Sequence, residues 1–209
     1  MGMATKLEQV LTSGDASADY IAHETQYRRP FVLGTDALKV ACTQAGLTVC
    51  EADESPDCVL LGYDITLTYQ TLTDACLMVA KDIPYFATHA DKTCIDPRGL
   101  LPDAGAIIAA IEVTTGRTPV VLGKPELSML EAGLRKLGKS KDELIIVGDQ
   151  LDTDITMGDL HGVLSCLVLS GETSRQRLET SDVSPDLVVE HVGELHSLLA
   201  QAGRLKRPE

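Results

Sequence analysis

Short apolar runs alternate along the chain with longer amphipathic segments. The apolar runs predict strands at residues 9–12, 31–33, 58–61, 85–87, 120–122, 144–147, 166–169 and 187–189. The segments between them predict helices at residues 14–22, 36–45, 71–81, 103–115 and 127–137. Repeated strand–helix units of this kind are typical of α/β proteins that contain a parallel sheet.

Two predicted elements carry especially strong apolar patterns. In the helix at 127–137, four leucines recur at spacings of three, four and three, which predicts a single buried stripe. The strand at 144–147 (LIIV) is apolar on every residue, as expected of a central parallel strand buried on both faces.

Clusters of turn-forming residues predict two domain boundaries. They lie at residues 28–30 (RRP) and 116–119 (GRTP), between apolar runs. The block between them, residues 31–115, is therefore interpreted as an insertion into a larger sheet.

Acidic residues follow the apolar strand at 144–147. Gly148 and Asp149 come directly after it, and Asp154 lies at the start of the next predicted helix. The carboxyl ends of parallel strands are where ligands bind in open α/β sheets, and carboxylate oxygens at this spacing can hold Mg²⁺. Helix capping is the alternative use of such aspartates, and this segment alone leaves both interpretations open.

A lysine occupies the equivalent position after another strand. Lys124 follows the strand at 120–122 and precedes Pro125, which can open a helix. Lys124 is either a phosphate-neutralising group or an ordinary surface lysine. A nucleotide P-loop is excluded because no G-x-x-x-x-G-K-[ST] motif is present.

The composition limits the partners of the chain. Its formal net charge of -13 disfavours nucleic acid and anionic membrane surfaces, and no apolar stretch reaches membrane-spanning length. An anionic substrate would therefore need local positive charge, from a divalent cation and a lysine. The six cysteines form no C-x-x-C pair, which favours free thiols in a reducing cytoplasm.

Together, these motifs resemble a known enzyme family. Lys124 after one strand, with Asp149 and Asp154 after another, resembles the third and fourth motifs of haloacid dehalogenase (HAD) phosphatases. The detailed sequence is similar to the NagD-like branch of subfamily IIA, which includes p-nitrophenylphosphatases. The similar segments are 11–16 (LTSGDA), 62–64 (GYD) with 68–69 (TY), 86–88 (FAT) with Asp91, 121–125 (VLGKP), 147–155 (VGDQLDTDI) and 167–171 (LVLSG).

The resemblance implies a fold and a domain division. The fold would be α/β, with a HAD-like Rossmannoid parallel sheet and an inserted α/β cap domain. Residues 1–29 would be a remnant of the core domain with its third strand at 9–12. Residues 30–117 would form the cap, and residues 118–209 the C-terminal part of the core.

The resemblance also implies a mechanism, Mg²⁺-dependent hydrolysis of small phosphorylated metabolites through an aspartyl-phosphate. Asp149 would be a direct Mg²⁺ ligand, and Asp154 would support the metal or orient Lys124. Lys124 would stabilise the phosphoryl oxygens and the intermediate. His89 and Asp91 would face the active site and help to select the substrate, although relatives usually carry Asn where His89 stands.

The sequence departs from the family pattern at the nucleophile. The family begins its chemistry with D-x-D after the first core strand and binds the phosphoryl group with Thr or Ser after the second. Neither lies before the predicted cap, and the one D-x-D, at 152–154, belongs to the metal motif. The chain alone is therefore expected to be an inactive, N-terminally truncated form that lacks the first two core strands.

This departure has a consequence for the sheet, and two alternative functions are also weighed. The family sheet has the order 5-4-1-2-3, so the strand at 144–147 would lose its central neighbour and expose an edge that favours aggregation or pairing. An alternative is a non-catalytic paralogue in which the cap serves as a binding or dimerisation module, and a cap-to-cap homodimer fits the resemblance. A dinucleotide-binding domain ranks last, because no G-x-G-x-x-G follows any strand.

Overall fold

The computed structural model of the protein describes residues 6–205. The chain forms two compact units, Met1–Lys136 and Leu137–Glu209. Strands and helices alternate through both units, so the predicted α/β class is confirmed. None of the helices within residues 6–205 combines the length and the apolar character that a membrane crossing needs.

The first unit is built on a parallel sheet of four strands. In chain order these are β1 (Pro30–Leu33), β2 (Cys58–Leu61), β3 (Tyr85–Ala87) and β6 (Val120–Val121), which is also their order in the sheet. Five helices accompany them: α1 (Ser13–Glu24), α2 (Asp36–Gln44), α3 (Tyr69–Val79), α4 (Ala104–Thr115) and α5 (Leu127–Leu137). An antiparallel hairpin, β4 (Thr93–Asp96) and β5 (Gly99–Pro102), lies between β3 and α4.

Both faces of this sheet are covered, which explains the continuous apolar strands. One face of the sheet packs with α3 and α4 in a buried cluster, to which β1, β2 and β3 contribute Phe31, Val59 and Tyr85. Their neighbours Val32 and Leu60 pack with α1 and α2 in a second cluster on the opposite face. Successive strand residues point to opposite faces, so a sheet covered on both sides needs apolar residues at every position.

The second unit contains a three-stranded parallel sheet. Its strands are β7 (Ile145–Gly148), β8 (Leu164–Val168) and β9 (Leu187–Val189), in the sheet order β7-β8-β9. Helices α6 (Thr156–His161), α7 (Arg175–Glu179) and α8 (Val192–Leu205) complete the unit. Strand β7 has one neighbour among the described residues, so it lies at an edge of this sheet and Val147 is 39% exposed. The predicted burial of this strand on both faces is therefore wrong.

The predicted strand at 9–12 is also wrong. The structure has a 3-10 turn at Leu7–Gln9, and Thr12 caps α1 through a reciprocal pair of hydrogen bonds with Asp15. No strand among the described residues pairs with this segment, and Val10 is 43% exposed. An apolar segment without a pairing partner cannot form a sheet, and the capping box fixes Thr12 at a helix start instead.

The compact units also group the chain differently from the three predicted segments. Strand β6 pairs in parallel with β3, because Phe86 lies opposite Val120 and Ala87 opposite Val121. Residues 118–136 therefore fold with the unit that contains the predicted cap, and so do the described residues of segment 1–29. The first five and last four residues of the predicted segments lie outside the described part of the chain.

Candidate active site

Asp149 lies at the carboxyl end of β7 and is tied to the loop that follows β8. Its Oδ2 accepts a hydrogen bond from the backbone N–H of Glu172 at 2.8 Å. Its backbone carbonyl accepts another from the N–H of Thr173 at 3.1 Å. Its Oδ1 accepts no hydrogen bond from the residues that the structure describes. One oxygen of the half-buried carboxylate is therefore held by the fold, and the other is available to a ligand.

Two glycines make room for the aspartate carboxylates. A Cβ added at Gly171 would lie under 3.0 Å from the carboxylate of Asp149, closer than real Cβ contacts come. A Cβ added at Gly148 would meet the carboxylate of Asp154 in the same way. The backbone of the second unit therefore closes around both carboxylates, and only glycine fits at these two positions.

Asp154 reaches its position through an irregular helical start. Residues Leu151–Ile155 form a π-helical turn in which the N–H of Ile155 donates to the carbonyl of Gln150. Asp154 is buried, with an exposed fraction of 7%, and its Oδ2 accepts from the N–H of Gln150 at 3.3 Å. Single π turns are frequent at functional sites because they turn a side chain out of the regular helical spacing.

Asp152 is separated from this site although it belongs to the same D-x-D sequence. Its carboxylate is exposed and pairs with the guanidinium of Arg177. Asp154, two residues later, is buried beside Gly148. The structure thus brings Asp149 and Asp154 together at the end of β7 and leaves Asp152 at the surface.

In the first unit, Lys124 follows β6 at the carboxyl edge of the sheet. Leu122 extends the pairing of β6, because its N–H donates to the carbonyl of Ala87 at 2.8 Å. Gly123 then passes so close to the carbonyl of Thr88 that a Cβ would lie under 3.0 Å from it. The exposed Lys124 therefore extends from a loop packed directly on the loop that follows β3.

A cavity of about 810 Å³ opens at this same edge of the sheet. Its walls include residues that follow three parallel strands, Thr35 after β1, Tyr63 after β2, and Thr88 with His89 after β3. Ligands of open α/β sheets bind at the carboxyl ends of the strands, where this cavity lies. The wall carries hydroxyl groups and the His89 imidazole, together with charged side chains such as Asp15 and Lys136.

Both ring nitrogens of His89 are engaged by the protein. Nδ1 lies 2.8 Å from Oγ1 of Thr88, and Nε2 lies 2.9 Å from Oδ1 of the buried Asp103. Asp91 is exposed, and its carboxylate, the imidazole of His89 and the carboxylate of Asp103 each offer one atom within 4.8 Å of the others. The structure therefore brings His89 and Asp91 close together, with His89 on the cavity wall.

The residues of the second unit suit a hard divalent cation. Asp149 and Asp154 supply carboxylate oxygens, which are the ligands that Mg²⁺ prefers. By their donor chemistry, these two residues could hold Mg²⁺.

The sequence does not show the structural roles of several residues that build these sites, although Gly148, Gly171 and Thr88 lie in its motifs. Gly148 and Gly171 are set by close packing, and a hint lay in the Ser170–Gly171 pair that follows a strand. The roles of Thr88 and Asp103 were missed because a hydrogen bond between residues 14 positions apart leaves no periodic signal. The geometry of Asp103 depends on the start of α4 folding back beside the end of β3.

Comparison with known proteins places these motifs in context. Residues 121–195 match the family described as HAD-hydrolase-like. An acid sugar phosphatase from Staphylococcus haemolyticus (strain JCSC1435) is 38% identical over 185 residues, which span 88% of this chain and 70% of that protein.

Solved structures resemble the chain over most of its length. NagD from E. coli K-12 superposes with a TM-score of 0.85 at 32% identity, over 92% of this chain and 75% of that one. Glycerol phosphate phosphatase from Mycobacterium tuberculosis, in complex with magnesium, gives a TM-score of 0.87 at 28% identity, over 93% and 60% of the two chains.

Proposed function

The chain belongs to the haloacid dehalogenase superfamily, in its NagD-like phosphatase branch, and from this membership we propose that it serves Mg²⁺-dependent hydrolysis of small phosphomonoesters through an aspartyl-phosphate. The observation that carries the proposal is the close packing of Asp149 against Gly171 and of Asp154 against Gly148. A structural capping role would not require glycine beside both carboxylates.

Asp149 is proposed as the direct ligand of Mg²⁺, and Asp154 as its support. The Oδ1 of Asp149 is the oxygen that the fold leaves available, while Oδ2 is held by the N–H of Glu172. Asp154 is buried, and the N–H of Gln150 orients its carboxylate. When bound, Mg²⁺ would neutralise phosphoryl oxygens and the negative charge that develops on them during transfer.

Lys124 is proposed to bind the phosphoryl group and to stabilise the intermediate. A fixed ammonium group supplies preorganised positive charge, which contributes most of the acceleration in phosphoryl transfer. A chain with a net charge of -13 needs such local charge to hold an anion. The packing of Gly123 on Thr88 sets the position of the lysine loop relative to the cavity in the first unit.

The cavity of the first unit is proposed to receive the part of the substrate beyond the phosphate. His89 and Asp91 would help to select that part, as expected from the sequence. In this proposal, segments 1–29 and 118–209 serve as core and residues 30–117 as cap. The six thiols are free in the structure, which fits a protein of the cytoplasm.

The proposal also concerns the nucleophile, for which the sequence offers one D-x-D, at 152–154. The D-x-D at 152–154 is a poor candidate for the nucleophile, because Asp152 pairs with Arg177 at the surface and Asp154 is buried against Gly148. Covalent transfer needs an aspartate placed in line with the phosphorus atom. We therefore expect this chain to bind Mg²⁺ and phosphate esters but to hydrolyse them only when a D-x-D segment is supplied.

The test is a fusion. A segment carrying the D-x-D motif expected from the family resemblance is joined to the N-terminus of this chain, and hydrolysis of p-nitrophenyl phosphate is measured with and without Mg²⁺. The fusion should be active only with Mg²⁺, and Lys124→Met should lower its kcat about 10²–10³-fold, while Lys81→Met, at another exposed lysine, should not. A folded fusion without Mg²⁺-dependent activity would contradict the proposal.

A binding or dimerisation module is the second candidate function, and one observation favours it. Ile95 and Leu100 face each other in the β4–β5 hairpin, and they are 88% and 70% exposed. An exposed apolar pair of this kind suits contact with a second copy of the chain. If Ile95→Asp leaves a purified dimer intact, the hairpin is not the dimer contact.

A further inference from the structure

His89 connects a buried carboxylate to a hydroxyl on the cavity wall. Its imidazole lies between Asp103 and Thr88, with one ring nitrogen within hydrogen-bond distance of each. Neither nitrogen is left for a ligand in this arrangement. His89 can therefore influence a ligand only through Thr88 or Asp103. The sequence alone suggests instead that His89 itself faces the substrate.

The direction of both hydrogen bonds follows when the Asp103 carboxylate is ionised and the His89 imidazole is neutral. An ionised carboxylate has only acceptor atoms, so Nε2 of His89 must donate its hydrogen to Asp103. A neutral imidazole carries one N–H, so Nδ1 is then an acceptor and the hydroxyl of Thr88 must donate to it. The single hydrogen of Thr88 is thereby committed to His89.

We propose that Asp103 and His89 make Thr88 a hydrogen-bond acceptor toward the cavity, and that this selects phosphate esters whose non-phosphate part carries a hydroxyl group. Thr88 lines the cavity, and its oxygen retains lone pairs that a ligand hydroxyl can use. A phosphate or carboxylate oxygen finds no donor at Thr88. The inference rests on the proposed function, because it concerns the substrate of that site.

The backbone holds this arrangement in place. Asp103 caps α4, and its Oδ1 also accepts the N–H of Ala104 at 2.6 Å. The N–H of Asp103 donates to the carbonyl of Lys92 at 3.1 Å, and the N–H of Gly105 donates to the carbonyl of Asp91 at 2.8 Å. Because a Cβ at Gly105 would lie under 3.0 Å from the carbonyl of Ala90, only glycine allows this close approach.

Thr88 is equally constrained. Its N–H donates to the carbonyl of Leu61 at 2.8 Å, which continues the pairing of β3 with β2. A Cβ at Gly62 would lie 3.2 Å from Oγ1 of Thr88, so the glycine leaves space over the hydroxyl. Asp103 and His89 are thus positioning residues, and Thr88 is the group that contacts the ligand.

The first test measures the tautomer of His89 by ¹⁵N NMR of the full chain at about pH 8, where imidazoles are neutral. The Nε2–H form should dominate, and Asp103→Ser should abolish this preference while it keeps a good helix cap. A matched Thr68→Ser change at the cap of α3 should leave the His89 signals unaltered. A dominant Nδ1–H form would overturn the inference, as would Mn²⁺ binding that broadens the His89 signals selectively.

The second test compares the binding of glycerol 3-phosphate and n-propyl phosphate by calorimetry with Mg²⁺ present. Wild type should prefer the hydroxyl-bearing ester, and Thr88→Val should weaken that ester about 3–10-fold without changing n-propyl phosphate. Thr88→Ser, which keeps the hydroxyl, should restore the preference. Equal losses for both esters in Thr88→Val would overturn the inference and leave the proposed function standing. Failure of wild type to bind either ester would instead contradict the proposed function.

Discussion

Gly171 lies against the carboxylate of Asp149 at a distance that no other residue could keep. The contact joins the loop after β8 to the end of β7, and the N–H of Glu172 completes it with a hydrogen bond to the same carboxylate. The residue that we propose as the metal ligand is therefore positioned by backbone atoms of a different loop. Loss of groups that orient a metal ligand typically costs about 10–100-fold in metal affinity.

Replacing Gly171 with alanine should weaken divalent-cation binding about 10–100-fold, because the methyl group must displace the carboxylate. The affinity for Mn²⁺ is measured by electron paramagnetic resonance, with thermal unfolding as the check of folding. Gly203→Ala, in α8 with no atom within 4 Å of the added Cβ, is the matched control and should bind as wild type does. Equal affinities for Gly171→Ala and the control would show that the contact is unimportant.

Gly123 has the corresponding role for Lys124. An alanine there would push the lysine loop away from the carbonyl of Thr88, so affinity for phosphate esters should fall about 10-fold or more. The control is Gly133→Ala in α5, where the added Cβ meets its nearest neighbour, Leu11, at an ordinary 3.8 Å. Unchanged affinity in Gly123→Ala would mean that the position of this loop does not matter for binding.

The open edge of β7 predicts self-association. Unpaired backbone groups on an edge strand can pair with another chain, and a lysine on such a strand opposes this pairing. Wild type should show an apparent mass that rises with concentration in sedimentation, and Val147→Lys should reduce that rise. Leu164→Lys is the control, at an exposed position of the central strand β8, whose backbone is already paired on both sides. If both changes reduce self-association equally, the edge of β7 is not the contact between chains.

Buried thiols predict a loss of stability at alkaline pH. Burial raises the pKa of the Cys42 thiol from an ordinary 9.0 to about 12. The folded chain therefore keeps a proton that the unfolded chain releases above about pH 9, and the free energy of unfolding falls by about 1.4 kcal/mol per pH unit for such a thiol.

Cys42→Ala should make this alkaline decline shallower in urea unfolding between about pH 9 and about pH 11. Val32→Ala removes a side chain from the same buried cluster without a titrating group, so it should lower stability equally at every pH. Identical slopes for Cys42→Ala and wild type would contradict a protonated Cys42 in the fold.

Regular elements of the first unit were predictable because local pattern and tertiary packing agree. The bounds of β2 and β3 match the apolar runs, and Gly116 ends α4 with a φ of 71°, as a C-terminal glycine should. The predicted burial of the leucine stripe of α5 was only partly right. Leu130 is buried, but Leu127 and Leu137 are 40% and 56% exposed. Helix spacing shows which residues share a face but does not show how far the neighbouring elements cover it.

The charged residues of the candidate site could be proposed from the sequence, but the glycines and hydrogen-bond partners that position them could not. Asp149, Asp154 and Lys124 follow strands, and that position can be read from a sequence. Asp152 could not be separated from Asp154 in advance, because a π turn directs one inward and leaves the other paired with Arg177. The tie between His89 and Asp103 depends on two loops meeting in space, which spacing along the chain does not encode.

The most direct test of the metal site compares two neighbouring aspartates. Mn²⁺ and Mg²⁺ affinities are measured for wild type, Asp149→Asn and Asp152→Asn, each checked for native melting. Asp149→Asn should lose about 100-fold or more in affinity, because a direct carboxylate ligand is removed, whereas the exposed Asp152→Asn should stay within about threefold of wild type. Undiminished binding by Asp149→Asn, or an equal loss in Asp152→Asn, would contradict a metal site built on Asp149.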